Sequence, residues 1–282
     1  MRRVKINEFR GTKAAESLRI GYFPGKHVTT LIVEDVENDE ENFAKISRVI
    51  RMLGGKILLV RPSSPTKKIV DVMFVIELPR KLEEELCSKI ESLGLCKQVT
   101  VIESFNPNVF FNVFFPYIVS GCRAIIMREP MYKGILLGMR RRFGEGAAKV
   151  FLNFIGYEVG KEAAASISPI IKDLELVKAV ETFLLMGQAL GYAIVESVEK
   201  VDDKIIVRLL YSWEGEIMRS MYDTPQCYFN KGILEGFLLA LTGEKWVGKE
   251  VECVAKGDDR CIFILEREYE AEAEKEVSPI RI

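Results

Sequence analysis

CYFNKGILEGFLLALTGEKWVGKEVECVAKGDDRCIF, residues 227–263, holds three of the six cysteines of this chain, and the rest is read outward from it. Phe229, Ile233, Phe237 and Leu241 recur at i, i+4 spacing and Gly243 follows, which predicts an amphipathic helix starting just after Cys227 and stopping at the glycine. At a helix start, free backbone N–H groups and the dipole favour thiolate over thiol, and thiolate is the form that binds metal. Two short apolar runs, VECVA and CIFIL, flank KGDDR, whose glycine and paired aspartates predict a hairpin that brings Cys253 and Cys261 together.

Those three thiolates with Glu250 would make a four-ligand set suited to tetrahedral zinc; histidine is nearly excluded, because the chain has only His27. Four negative charges against two on the metal call for nearby cations, and Lys249, Lys256 and Arg260 are the candidates. Side chains three apart on an ideal strand face opposite sides, so Glu250 and Cys253 can share a metal only where the strand starts late or bulges between them. Spacing alone leaves a second reading open, in which the three cysteines are buried small hydrophobes, because Cys-x7-Cys is not a standard zinc spacing.

The stretch resembles the 4-vinyl-reductase domain family: a cysteine before a G-x3-G helix (Gly232, Gly236), then Glu-x2-Cys, a Gly-Asp turn (Gly257, Asp258) and Cys-x-Phe (Cys261, Phe263). Members include sensor modules of bacterial regulators of aromatic-compound breakdown, in which the matching residues hold a structural zinc. The resemblance implies Cys227, Glu250, Cys253 and Cys261 as zinc ligands, and extends more weakly back to about Pro116. Four protein ligands leave no open position for water or substrate, which points to a structural metal.

The 282 residues carry 48% apolar content, 40 basic and 41 acidic side chains, and a net charge of −1, so no global field draws the chain to nucleic acid or an anionic membrane. The start MRRVKINEFR has no apolar core, and no uncharged run approaches the ~18 residues a membrane helix needs, so the expectation is a cytoplasmic protein. Cys87, Cys96 and Cys122 sit in ordinary apolar contexts. The Lys- and Glu-rich composition suits a thermophilic or archaeal source.

In chain order, residues 1–26 read as an irregular basic leader. From His27 the runs HVTTLIVE, KILLV, DVMFVIEL and KQVTVIE alternate with helical stretches at 41–53 and 81–93. That order, strand-helix-strand-strand-helix-strand, predicts a ferredoxin-like plait over 27–104 with helices on one face. It resembles ACT regulatory domains, which pair through their sheets. The acidic run EDVENDEEN stands where an ACT ligand site usually has a glycine, which points to pairing or docking with a protein partner rather than amino-acid binding; the run itself reads as a solvated loop with capping carboxylates.

Residues 105–108, FNPN, read as a linker to a second domain over 109–270, with a tail at 271–282. NVFFNVFFPYIV is expected to be core and RAIIM a strand, followed by helices near 132–167 and 173–191 and by strands in AIVESVEK and KIIVRLLYSW. Gly134, Gly138, Gly156 and Gly160 predict a close backbone approach, either helix packing or a dimer contact. Arg140, Arg141 and Arg142 read as a solvated face, and no DNA-reading motif accompanies them. The fold class is therefore α+β: an ACT-like plait, then a mixed α/β domain of the 4-vinyl-reductase or TRAPP-subunit type.

No nucleophile triad, P-loop or dinucleotide fingerprint appears, which argues against an enzyme. The expected function is a regulatory protein, dimeric, sensing an apolar or aromatic small molecule in a pocket lined by Phe151, Phe154, Phe183, Met186 and Phe237. Two rival readings are an assembly scaffold, as in vesicle-tethering subunits, and an enzyme or accessory of tetrapyrrole vinyl reduction.

Overall fold

Residues 19–268 are described by the computed structural model, and the chain divides after Ile125. The leader before residue 19 and the tail at 271–282 lie outside the described residues. The first unit comprises β1 (Ile20–Tyr22), β2 (Val28–Glu37), α1 (Glu40–Met52), β3 (Lys56–Pro62), β4 (Ile69–Glu77), α2 (Glu83–Glu91), β5 (Gln98–Ile102), β6 (Val109–Phe111), β7 (Tyr117–Val119) and β8 (Cys122–Ala124). Its main sheet is antiparallel in the order β3-β4-β2-β5, the strand order of a ferredoxin-like plait.

The central strands β2 and β4 read as continuous apolar runs because both of their faces are covered. On one face Leu31, Val33, Phe74 and Ile76 pack under the helices through Ile46, Ile50, Leu86 and Ile90. On the other, Val28, Ile32, Met73 and Val75 pack on Phe110 and the half-buried Phe114. Residues 109–125, assigned to the second domain from the sequence, therefore pack with the first: β6 pairs with β1, which itself lies in the expected leader. Only part of the aromatic run is core. Phe110 is buried, whereas Phe111 and Phe115 are exposed, and of RAIIM only Arg123 and Ala124 fall within β8.

The acidic run does cap a helix. Asp39 is the N-cap of α1, its carboxylate accepting the Asn42 N–H at 2.8 Å, with Glu40 and Glu41 in the first turn. Asp39→Ala should cost about 1 kcal/mol, read as a lower urea midpoint at unchanged slope.

The second unit comprises α3 (Glu129–Ile171), α4 (Leu176–Ala189), β9 (Ile194–Val201), β10 (Lys204–Leu210), the single turn α5 (Trp213–Glu216), α6 (Tyr228–Thr242), β11 (Trp246–Glu252) and β12 (Cys261–Arg267). The strands form an antiparallel sheet ordered β11-β12-β10-β9. Gly144, at φ 80°, breaks α3 into two helical segments. Its second segment crosses α6 so closely that four glycines face backbone. A Cβ on Gly156 or Gly160 would lie 2.1 or 2.2 Å from a carbonyl oxygen of α6, and one on Gly232 or Gly236 would lie 2.1 or 1.9 Å from one of α3. Gly134 meets nothing within 4 Å, so the two halves of the glycine pattern have different surroundings. Among the described residues no helix is long and apolar enough to cross a membrane.

Candidate metal centre

Cys227 is the N-cap of α6, Gly243 closes that helix in the left-handed conformation at φ 72°, and both agree with the pattern of apolar residues between them. Glu250 lies near the end of β11, and the register of β11 on β12 shifts between Glu250 and Glu252. That bulge is the irregularity the spacing demanded, since it releases Glu250 and Cys253 from strict alternation. Cys253 follows the strand. Its N–H donates to Asp258 Oδ2 at 2.8 Å, and its carbonyl accepts from the N–H groups of Lys256 and Asp258 at 2.9 and 3.2 Å. Gly257, at φ 104°, makes this tight loop possible, and β12 then opens on Cys261.

The ligand atoms of Cys227, Glu250, Cys253 and Cys261 all lie within 4.8 Å of one another. Cys227 Sγ is 3.6 Å from Cys253 Sγ and 3.7 Å from Cys261 Sγ. A disulfide needs about 2.05 Å, whereas thiolates about 2.3 Å from one tetrahedral metal stand about 3.8 Å apart. The three thiols are free and fully buried. Glu250 Oε2 accepts the Cys227 N–H at 2.9 Å, while its Oε1 is buried without a hydrogen-bond partner. A buried carboxylate oxygen with no partner is costly unless something binds it, and here it belongs to the one oxygen donor of the set. The four residues could hold a metal ion.

Electrostatics favour the same reading. Burial, then the neighbouring thiols, pushes the Cys227 thiol well above its ordinary range, and burial followed by the charge of Cys253 pushes Glu250 up to about 9. Cys253 is held below the usual thiol range because Cys227 and then Cys261 donate to it. The bare cluster thus resists carrying several negative charges; a divalent cation would let all four ionise together.

Of the cations expected to offset that charge, Lys249 lines a cleft of about 350 Å³ beside Glu250, with Lys149 and Lys231. Lys256 is engaged by Asp258 at 3.0 Å and Arg260 by Glu196 at 2.5 Å. Arg140, assigned from the sequence to a solvated face, lies inside instead. Arg141 and Arg142 are exposed, but Arg140 is only 5% exposed and donates to the carbonyls of Leu136 at 3.2 Å and Gln226 at 3.0 Å. It clamps the segment immediately before Cys227.

Glu214 was missed as well. It is fully buried on α5, and its two oxygens accept the N–H groups of Phe229 and Asn230 at 3.0 and 2.9 Å, so it caps α6 from outside the helix. Burial pushes its carboxyl up to about 7 against the pull of those N–H groups and of Arg140. Next to it, Gly215 passes under the cluster, where a Cβ would stand 3.3 Å from the sulfurs of Cys227 and Cys261. Glu214→Ala should destabilise by about 2 kcal/mol, because two N–H groups lose their acceptor in a buried place. Equilibrium unfolding in urea would check it.

The proposed pocket residues separate. Phe183 and Phe237 stack with ring centroids 4.1 Å apart, and Met186 is half-buried on the same helix as Phe183. Phe151 and Phe154 lie on α3 with 53% and 61% of their surface exposed.

Residues 210–267 match the V4R domain, a span that contains all four cluster residues. Over 136 residues the chain is 24% identical to an uncharacterised protein of Methanocaldococcus jannaschii, the match covering 48% of this chain and 66% of that protein, just under two thirds of its length. Among solved structures, a vinyl-4-reductase family protein from Methanocaldococcus jannaschii aligns with TM-score 0.35 and 19% identity, covering 52% of this chain and 85% of the other. The phenol-responsive sensory domain of the transcription activator PoxR aligns with TM-score 0.46 and 16% identity, covering 59% and 84%.

Proposed function

We propose that the second unit is the small-molecule-sensing module of a regulatory protein, pinned by one structural zinc on Cys227, Glu250, Cys253 and Cys261. The observation that carries this reading is the buried set of three thiols and a carboxylate at the start of α6, with Glu250 Oε1 lacking any other partner. Sulfur-rich donors with one oxygen suit zinc, and four protein ligands leave no position for substrate. Bound there, zinc supplies positive charge and ties the β11–β12 loop to the helix.

The ligand site we infer lies beside α4 and α6. Of the 14 residues of α4 only Ala179 and Val180 are buried, while Phe183, Leu184, Leu185 and Met186 are all half-buried. An apolar molecule against Phe183 and Met186 would cover that surface, with the fully buried Phe237 stacked behind Phe183. It would bear on α6, which is held rigid at its start by the metal and along its length by the glycine crossing, so binding can bias one stiff element. The plait is the proposed pairing or docking module, because β3 and β5 are the open edges of its sheet.

Native mass spectrometry of protein purified without chelator should find one zinc per chain; protein free of metal would remove the reading. Enlarging Phe183→Trp should weaken binding of an apolar dye such as anilinonaphthalene sulfonate at unchanged zinc content. Light scattering should give a dimer, and a monomer mass at micromolar concentration would remove the pairing role.

A further inference from the structure

Beside the metal centre, the cleft of about 350 Å³ is lined by Lys149, Lys231 and Lys249 together with Thr224 and Tyr228. The lysines come from three elements, α3, α6 and β11, so the cleft gathers charges that stand far apart along the chain. Two of them are held in place by other contacts. Lys231 Nζ lies 2.9 Å from Glu235 Oε1, and that carboxylate is only 6% exposed, accepting the Gly248 N–H at 2.7 Å and an Asn153 side-chain N–H at 2.9 Å. A Cβ on Gly248 would stand 3.0 Å from Lys231 Cγ, so the glycine lets that stem lie across β11. Lys149 Nζ sits over the Tyr228 ring, 5.3 Å from its centroid. Thr224 Oγ1 accepts from Nε2 of the buried Gln226 at 3.1 Å, which leaves its own O–H free to donate.

The acidic groups of the lining do not use this charge up. Glu250 Oε1 is closed to solvent and Oε2 accepts the Cys227 N–H, while the Cys227 thiol is fully buried. Lys149 and Lys249 are exposed, and Lys231 keeps 21% of its side chain open, so the surface a solute meets here is cationic. Pairing with Glu235 occupies one of the three donors of the Lys231 ammonium and leaves the others. The N–H groups of Phe229 and Asn230 are already capped by Glu214, which leaves binding to the side chains. An ammonium is a point charge with rotatable donors, and several around one cleft suit the oxygens of a phosphate, whereas a carboxylate is matched best by a guanidinium fork. The cleft falls within the about 300–1,000 Å³ of small-molecule sites, so the phosphate can carry an organic body against the Tyr228 ring. We propose that this cleft binds the phosphate group of a small molecule through Lys149, Lys231, Lys249 and Thr224. It shares no residue with the apolar surface of α4.

The test uses the full chain in a chloride buffer free of carboxylates and phosphate, with phenyl phosphate and benzoate as separate probes in calorimetry and metal analysis of each sample. The probes share a ring and differ in the anion. Phenyl phosphate should bind, more tightly than benzoate, and added sodium chloride should weaken it. Lys149→Gln and Lys249→Gln should each weaken phenyl phosphate about fivefold or more, at unchanged metal content and with the probe-free unfolding midpoint unchanged. Lys133→Gln, an exposed lysine of α3 outside the cleft, should respond like the wild type. Three results would overturn the proposal: no binding of phenyl phosphate, benzoate binding as tightly or more so, or equal affinities in the Lys133, Lys149 and Lys249 variants, as an anion held by the metal alone would give.

Discussion

Cys253→Ser should leave the second unit largely unfolded at ambient temperature while the plait keeps its own cooperative transition. A structural zinc contributes on the order of 10 kcal/mol that is realised on folding, which is comparable with the whole stability of an ordinary domain. Cys253 is held within the cluster, its sulfur 3.6 Å from that of Cys227 and its backbone fixed by Asp258. Serine there is a poor metal donor and leaves a buried hydroxyl. Exhaustive chelation of the wild type should bring it to the same state, whereas a cysteine that merely filled core space would be indifferent to chelator and would cost only about 1 kcal/mol on truncation to alanine. Circular dichroism during urea unfolding, with metal analysis of each sample, separates these outcomes. Retention of the wild-type midpoint by Cys253→Ser would sink the metal reading.

Gly236→Ala should destabilise by about 3 kcal/mol or more, against the direction that helix propensity dictates. In a helix with open surroundings the same change stabilises by about 1 kcal/mol. Here the new methyl would be 1.9 Å from the Tyr157 carbonyl oxygen and 2.8 Å from its carbon, and backbone cannot swing aside as a side chain can. The helices must separate, which loosens the core between them and shifts the start of α6 that carries Cys227. Gly134→Ala, where nothing lies within 4 Å, is the matched control and should be neutral or stabilising. Similar midpoints for the two variants would show that the crossing tolerates separation.

How much of this was legible beforehand depends on the range of the interaction concerned. The plait could be read because its strands are apolar runs and its helices amphipathic stretches, each complete within about a dozen residues. The start of α6 at Cys227 and its stop at Gly243 could be read for the same reason, since capping is local. The closeness of Cys253 and Cys261 followed from a turn within nine residues of sequence. By contrast, the covering of the plait's second face by Phe110 and Phe114 was not visible, because an aromatic run does not say which sheet it will reach.

The sequence by itself determined the strands and helices of the plait and which residue types stand at the start of α6 and around the β11–β12 turn. Only the tertiary structure decided burial at remote positions: Arg140 inside while Arg141 and Arg142 are exposed, and Glu214 as the cap of a helix it does not belong to. It also decided that Gly156 and Gly160 face the backbone of α6, and Gly232 and Gly236 that of α3, in the crossing of the two helices. The physical reason is common to all of these. Periodicity along a chain fixes which side chains share a face, but whether that face meets water or another backbone is set by partners dozens of residues away, and burial alone turns an arginine or a glutamate from a solvated charge into part of a site.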